Sequence, residues 1–241
     1  MTERTRPGSD PAEPAFARPA LVIFDCDGVL VDSEPLSLGT LTAALNRIGV
    51  AIDVDTVRSR FAGTSMTSIM EHIAHDFPTV VVPEDFVAAV KAETLGVFDR
   101  ELRAMAGVAM AVQALDIPTC VASSSDPVRL RHSLTLTGLL PLFDGRLYSS
   151  AMVRRGKPAP DLFLHAAAEM RAEPGECLVI EDSVPGVIAA RAAGMRVLGF
   201  TGGGHWGHDR AGRDLAEAGA DQVFLDYRQL DALLGGLPGG C

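Results

Sequence analysis

Short apolar runs recur along the chain, and most of them end at a small or polar residue. Runs of this kind are typical of strands that are buried on both faces of a parallel sheet. The predicted strands are residues 21–24, 117–122, 177–180, 196–200 and 222–225. Stretches with helical spacing lie between them, at residues 128–137, 161–170 and 187–193. This alternation predicts an α/β fold, a doubly wound parallel sheet built from strand–helix–strand units.

Residues 36–103 break this rhythm, because they contain no strong strand signal. Their apolar residues fall at helical spacing instead: Leu38, Leu41, Leu45, Ile48, Ile69, Met70, Ile73, Phe86, Val87 and Val90. We expect a small inserted helical domain over the carboxyl edge of the sheet, where open α/β sheets bind ligands; a pure packing scaffold is the alternative. The predicted division is a flexible tail at residues 1–18, a core at 19–35 and 104–236, and the insert at 36–103.

Composition excludes some classes of function. A formal net charge of -10 over 241 residues is unfavourable for holding nucleic acid through its phosphates. No apolar run reaches the roughly 18 residues that a membrane span needs, and the tail lacks the apolar segment of a secretory signal. The four cysteines form no C-x-x-C pair, so we expect buried, reduced thiols in a cytoplasmic protein. The expected partner is therefore a small molecule, with no nucleic acid and no membrane.

Two carboxylates follow the first predicted strand directly. They are Asp25 and Asp27, and Gly28 permits a sharp turn after them. An aspartate can attack a phosphoryl group and become an acyl phosphate. A second carboxyl group can protonate the departing alcohol and later take a proton from water. A charged turn or a calcium-type loop is the alternative, although the further ligands of an EF-hand are missing.

Two other loops hold candidate phosphate ligands. Ser123 and Ser124 come after the second strand and before a helix that Asp126 could cap. Hydroxyls and backbone N–H groups at the start of a helix can bind an anion. Lys157 precedes another helix and could act on phosphate as a compact positive charge. Taken singly, a plain capping loop and an exposed loop lysine are the more common interpretations.

Glu181 and Asp182 end the third predicted strand and begin a helix. If the strand ends share one edge of the sheet, these carboxylates repel Asp25 and Asp27. A divalent cation would offset that repulsion, and Mg²⁺ prefers one or two carboxylates together with water and substrate phosphate. Acids favoured at a helix start by the macrodipole are the alternative. We expect Mg²⁺ as the cofactor.

The order and spacing of these residues resemble a known family. D-x-D-G-x-L-x-D-S from Asp25, a strand followed by Ser123, G-K-P-x-P around Lys157 and E-D-S-x-x-G from Glu181 resemble the four motifs of the haloacid dehalogenase superfamily. The resemblance covers about residues 20–234. It implies a Rossmann-like core, and the helical insert resembles the C1 cap of the phosphatase and sugar-phosphomutase branch.

The same resemblance implies a role for each motif residue. Asp25 would be the nucleophile, and Asp27 the acid/base that also offers its main-chain carbonyl to Mg²⁺. Ser123 and Lys157 would hold the transferring phosphoryl group. The metal ligands that it implies are Asp25, Asp27, Asp182 and Glu181, the last as a ligand or a support.

The expected activity is hydrolysis of a phosphomonoester through an aspartyl-phosphate intermediate. Dehalogenases of the superfamily lack an acid at the position of Asp27. The β-phosphoglucomutase branch carries a histidine where this chain has Ser37, and an arginine where it has Met66. A sugar phosphomutase is nevertheless the first alternative. A regulatory phospho-acceptor module is the second, although such receivers lack a long insert.

The substrate is harder to specify from sequence. Segments around Phe98, His132 and His165 resemble bacterial 6-phosphogluconate phosphatase-like proteins, so we expect a small sugar, sugar-acid or polyol phosphate. Substrate selection is assigned to the insert residues Gly63, Thr64 and Ser65, with a surface turn as an equal alternative. The glycine- and histidine-rich residues 202–208 are interpreted as a flexible loop in preference to a metal site.

Overall fold

The computed structural model describes residues 18–61, 66–143, 145–204 and 211–235. These residues form one six-stranded sheet in the order β3-β2-β1-β4-β5-β6, and every neighbouring pair is parallel. The strands are β1 (Leu21–Phe24), β2 (Thr119–Ser123), β3 (Leu147–Ser149), β4 (Cys177–Glu181), β5 (Arg196–Phe200) and β6 (Gln222–Phe224). The predicted α/β fold with a doubly wound parallel sheet is confirmed.

Helices follow the strands and cover both faces of the sheet. They are α1 (Glu34–Arg47), α2 (Val54–Phe61), α3 (Met66–Asp76), α4 (Phe86–Glu101), α5 (Val108–Ala114), α6 (Pro127–Leu136), α7 (Asp161–Glu169), α8 (Val184–Ala192), α9 (Ala211–Glu217) and α10 (Leu230–Leu233). Single 3-10 turns lie at Leu140–Phe143, Ser150–Met152, Pro174–Glu176 and Tyr227–Gln229. None of the helices in the described ranges has the length and apolarity required to cross a bilayer.

The central strand β1 is buried along its whole length. Its alternate residues face opposite sides of the sheet, as the twofold repeat of a strand requires. Val22 and Phe24 pack into one hydrophobic cluster, and Leu21 and Ile23 pack into another. Burial on both faces explains why this strand is a continuous apolar run in the sequence.

Four strands differ from the prediction, two of them only slightly: β4 ends one residue later than expected and β6 one residue earlier. Strand β2 begins at Thr119, two residues later than expected, because Pro118 has no N–H to donate to the sheet. Its carbonyl still accepts a hydrogen bond from the Val22 N–H at 3.0 Å. Strand β3 was not predicted. It is a three-residue edge strand in which Tyr148 and Ser149 are buried, and its sequence Leu-Tyr-Ser contains no continuous apolar run.

Helices α1 to α4 have a hydrophobic cluster of their own, separate from the two clusters of the sheet. Seven of the ten apolar residues singled out in this interval are buried in it: Leu38, Leu41, Leu45, Ile69, Ile73, Phe86 and Val90. The other three pack against it with partial exposure: Ile48, Met70 and Val87. The described residues of this interval are therefore largely helical, and the first helix starts at Glu34.

The chain enters and leaves this helical insert through two adjacent segments. Asp32 N–H donates to the Arg103 carbonyl at 3.0 Å. Val31 and Ala104 form an isolated antiparallel bridge beside that bond. The two chain connections between the insert and the sheet thus lie side by side, directly after the loop that carries Asp27.

Candidate active site

The predicted site residues converge because their strands are neighbours. Strand β1 lies between β2 and β4, and Phe24 is level with Val121 on one side and Ile180 on the other. The next residue, Asp25, donates its N–H to the Ile180 carbonyl at 2.9 Å. The carboxyl ends of all three strands therefore meet at one edge, where α/β sheets bind ligands.

Lys157 joins two of these strand ends. Its Nζ lies 2.6 Å from Asp25 Oδ1 and 2.6 Å from Glu181 Oε1, and it also donates to the Ala122 carbonyl at 3.1 Å. The ring of Phe163, on α7, lies 4.8 Å from the same nitrogen. The alternative of an exposed loop lysine is thus excluded, because only 4% of the side chain is exposed.

Lys157 remains a cation in this setting. Burial alone would lower the pKa of its ammonium group, but the charges of Asp25 and Glu181 outweigh burial and raise that pKa. A buried, permanently charged lysine beside Asp25 is suited to holding a phosphoryl group against that carboxylate.

The carboxylates outnumber this one cation. Asp25, Glu181 and Asp182 are buried and can each place an oxygen within 4.8 Å of the others. Burial raises the pKa of Asp25 well above its usual value; Lys157 opposes the shift, and the Glu181 and Asp182 charges add to it. Burial also raises the pKa of Asp182, and Glu181 again adds to the shift. A hard divalent cation with oxygen ligands fits this donor set, because it would supply the missing positive charge.

Glu181 differs from the other two carboxylates. Its Oε1 accepts from Lys157, while its Oε2 accepts from the Ser183 N–H at 2.8 Å and the Ser183 hydroxyl at 2.9 Å. Both oxygens therefore have protein partners. Of the two roles left open for Glu181, this geometry favours the support that positions Lys157.

Asp27 lies beyond β1 in a turn that Gly28 makes possible with a φ of 78°. Its Oδ1 accepts from the Ser33 hydroxyl at 2.6 Å and from Arg129 at 2.9 Å, and its Oδ2 accepts from the Ser125 hydroxyl at 2.6 Å. Burial alone would raise the pKa of Asp27, but Arg129 and the two hydroxyls outweigh burial and hold that pKa below its usual value.

No role was predicted from the sequence for these three partners of Asp27. Ser33 belongs to the first motif and Ser125 to the run of three serines, so their positions in the sequence could have indicated a role for both. Arg129 gave none, because nothing in the sequence separates it from an ordinary surface arginine such as Arg131 on the same helix.

The serine loop is built around the start of α6. Ser123 ends β2 fully buried, and its hydroxyl accepts from the Ser125 N–H at 3.0 Å. Ser124 is exposed, and its carbonyl accepts from the Ser150 hydroxyl at 2.8 Å. The expected cap is confirmed, because the Asp126 carboxylate accepts from the first N–H groups of the helix.

Two predicted features lie wholly or partly outside the described residues. Gly63, Thr64 and Ser65, the residues assigned to substrate selection, are outside them, as is the tail up to residue 17. In the segment 202–208, the described part ends at Gly204, whose N–H donates to Asp32 Oδ1 at 3.0 Å.

Comparison with known proteins identifies the family of this chain. The family model of the haloacid dehalogenase-like hydrolases matches residues 19–194. The chain belongs to this family. It is also similar to the 6-phosphogluconate phosphatase of Escherichia coli K12, with 31% identity over 79% of this chain and 86% of that protein. The prediction of a phosphatase-class enzyme of this family is confirmed.

Solved structures of the family share the fold. A haloacid dehalogenase-like protein of unknown function from Agrobacterium tumefaciens superposes with a TM-score of 0.82 at 36% identity, over 90% of this chain and 97% of that one. A putative β-phosphoglucomutase from Thermotoga maritima superposes with a TM-score of 0.73 at 28% identity, over 90% and 99%. Both the phosphatase and the mutase branch are therefore among the relatives.

Proposed function

We propose that this hydrolase is a Mg²⁺-dependent phosphomonoesterase that acts on a small phosphorylated metabolite through an aspartyl-phosphate on Asp25. The observation that carries the proposal is the placement of Lys157, which lies 2.6 Å from both Asp25 and Glu181 at the carboxyl edge of the sheet. Asp182 lies in the same buried cluster. This edge thus combines a nucleophile, a cation and a carboxylate set suited to a metal.

In the first half of the reaction, a carboxylate oxygen of Asp25 attacks phosphorus and the bond from phosphorus to the alcohol oxygen breaks. For this step Asp27 must first take up a proton, against the lowered pKa that Arg129, Ser125 and Ser33 give it, and it then gives that proton to the departing alcohol. Lys157 and the hydroxyl and N–H groups of the loop at Ser123 and Ser124 hold the phosphoryl oxygens, whose charge is spread in a loose transition state.

In the second half, the Asp27 carboxylate takes a proton from water as that water attacks phosphorus. The bond from phosphorus to Asp25 breaks, which releases inorganic phosphate and restores the carboxylate. Mg²⁺, held by Asp25, Asp182 and the main-chain carbonyl of Asp27, would neutralise charge on the phosphoryl group.

The substrate class proposed is a sugar, sugar-acid or polyol phosphate. The similarity to a 6-phosphogluconate phosphatase supports it, as does a 29% identity to hexitol phosphatase B of Escherichia coli over 73% of this chain. The helical insert, residues 36–103, would act as the cap over the site. Gly63, Thr64 and Ser65 are proposed to select the substrate from that cap.

Phosphate release from p-nitrophenyl phosphate, with and without Mg²⁺, tests the reaction. Asp25→Asn should abolish turnover. Asp27→Asn should lower kcat by about 10²–10⁴-fold, because the water that attacks the aspartyl-phosphate loses its base. Asp231→Asn, an exposed change of the same kind on α10, should leave it unchanged. Turnover that survives both Asp25→Asn and a chelator would exclude the proposal. A panel of sugar, sugar-acid and polyol phosphates would then identify the substrate.

A sugar phosphomutase is the second candidate, because a putative β-phosphoglucomutase is among the structural relatives. It predicts isomerisation of a hexose phosphate in the presence of the corresponding bisphosphate. Free phosphate as the sole product would exclude it. A phospho-acceptor module would instead keep a long-lived aspartyl-phosphate without multiple turnover.

A further inference from the structure

Arg129 forms an ion pair with the carboxylate of Asp27. Its guanidinium donates to Asp27 Oδ1 at 2.9 Å, and the two side chains are only 26% and 16% exposed. Ser33 binds the same oxygen, and Ser125 binds the other. Three donors therefore restrict the direction in which this carboxylate points, and Arg129 is the charged one among them.

Arg129 is itself held by the helical insert. Its guanidinium carbon lies 5.0 Å from the ring centroid of Phe98 on α4, within the range of a cation–π contact. It also donates to the Ser37 hydroxyl on α1 at 3.4 Å. One turn further along α6, His132 lies 2.8 Å from Asp99 of α4. Helix α6 of the core and helix α4 of the insert are thus in contact along this edge.

The backbone of Arg129 is fixed as well. Its N–H donates to the Asp126 carboxylate that caps α6, at 3.0 Å. The backbone of Arg129 is therefore fixed on the core, and its guanidinium lies between Asp27 and the insert. A planar guanidinium can stack its face on a ring while its edge donates hydrogen bonds, which fixes its orientation more closely than that of a compact ammonium group.

From this geometry we infer that Arg129 is a positioning residue, which orients the Asp27 carboxyl group toward the leaving oxygen. Phe98 and Ser37 of the insert hold the Arg129 guanidinium in place for this role. The inference rests on the proposed function of Asp27. It links the insert to the chemistry, since the insert then shapes proton transfer in addition to covering the site.

The test uses the dependence of the rate on the leaving group. A p-nitrophenolate departs without a proton, whereas an alkoxide needs one from Asp27. The ratio kcat/KM includes only steps up to the departure of the alcohol, so it isolates this proton transfer. Arg129→Gln should lower kcat/KM for glycerol phosphate by about 10- to 100-fold, the effect of a misplaced catalytic group. It should leave kcat/KM for p-nitrophenyl phosphate nearly unchanged.

Three further variants sharpen the result. Arg129→Lys should recover part of the loss, because the positive charge stays beside Asp27. Phe98→Leu should also lower kcat/KM for glycerol phosphate selectively, but by a smaller factor, because Arg129 remains and loses only the ring against which its guanidinium packs. Arg131→Gln, an exposed change on the same helix, is the matched control and should alter neither substrate.

A double-mutant cycle completes the test. If Arg129 acts through Asp27, Arg129→Gln should cause no additional loss in the Asp27→Asn background. An equal loss for both substrates would show a merely structural role, and a loss that persists in Asp27→Asn would show direct contact with substrate. Either result overturns the inference.

The proposed function is tested separately. It fails if Asp25→Asn retains turnover of either ester. If Asp25→Asn abolishes turnover and the leaving-group selectivity of Arg129→Gln is absent, only the role of Arg129 is refuted.

Discussion

The carboxylate of Glu181 fills the space that a β-carbon on Gly186 would need. An ideal β-carbon at Gly186 would lie 1.8 Å from Glu181 Oε1, far inside van der Waals contact. The glycine of the fourth motif therefore allows helix α8 to pack directly against the carboxylate that holds Lys157. The site therefore depends on a residue without a side chain at this position.

Gly186→Ala should therefore impair catalysis without touching a reacting group. The new methyl group would displace Glu181 from Lys157, and overpacking of this kind typically costs about 1–3 kcal/mol. We expect a lower kcat for p-nitrophenyl phosphate and a lower melting temperature. Gly175→Ala is the matched control, because a β-carbon added there would have no atom of another part of the chain within 4 Å. A Gly186→Ala enzyme with full activity would contradict this explanation.

Lys157→Met should lose both activity and stability. Without the ammonium group, the buried carboxylates of Asp25 and Glu181 face each other unpaired. Breaking a buried ion pair by removing one partner typically costs about 3–5 kcal/mol. Urea denaturation of the metal-free protein measures the loss. The protein's other lysine, Lys91, is exposed on α4, and Lys91→Met should change neither property.

Asp182→Asn should make the metal-free protein more stable and insensitive to Mg²⁺. Because burial raises the pKa of Asp182 well above 3.8, the folded state keeps a proton that the unfolded state releases. Stability contributed by this group is therefore complete below about pH 4 and falls as the pH rises through the raised pKa. Replacing the carboxylate with a neutral amide should therefore abolish this loss of stability at neutral pH.

Thermal unfolding with and without Mg²⁺ checks this prediction. Wild-type protein should gain about 2.7 kcal/mol at a Mg²⁺ concentration 100 times the dissociation constant, whereas Asp182→Asn should gain little. Asp231→Asn serves again as the exposed control. An unchanged Mg²⁺ response in Asp182→Asn would remove this residue from the metal site.

Tyr227→Phe should loosen the turn that carries Asp27. The buried Tyr227 hydroxyl donates to the Val29 carbonyl at 2.8 Å, and its ring packs against Phe200 and Phe224. Leaving a buried acceptor unsatisfied costs about 1–3 kcal/mol. Urea denaturation should show a loss of that size, with Tyr148→Phe on β3 as the comparison. Equal stability of wild type and Tyr227→Phe would show that the hydrogen bond contributes nothing net.

The sequence predicted the strands that are buried on both faces, because double burial leaves a continuous apolar run. It did not predict β3, because the sequence Leu-Tyr-Ser contains no continuous apolar run. The other edge strand, β6, is equally short, but the apolar run 223–225 indicated it. Among the candidate site residues, Asp25, Lys157 and Asp182 could be proposed from the sequence because each belongs to a motif with fixed spacing. Arg129 was not, because its importance depends on Phe98 and Asp27 meeting it in space, and neither is near it in sequence.

The paired segments at Asp32 and Arg103 have a consequence for how such enzymes diversify. Since the two chain ends of the insert lie side by side, a replacement of different length or fold could be accommodated there without altering the order of strands in the sheet. Specificity could then change by exchange of a module while the reacting groups stay in place. The contact of Arg129 with Phe98 would constrain that exchange, because any new module would have to supply a comparable packing surface for the guanidinium.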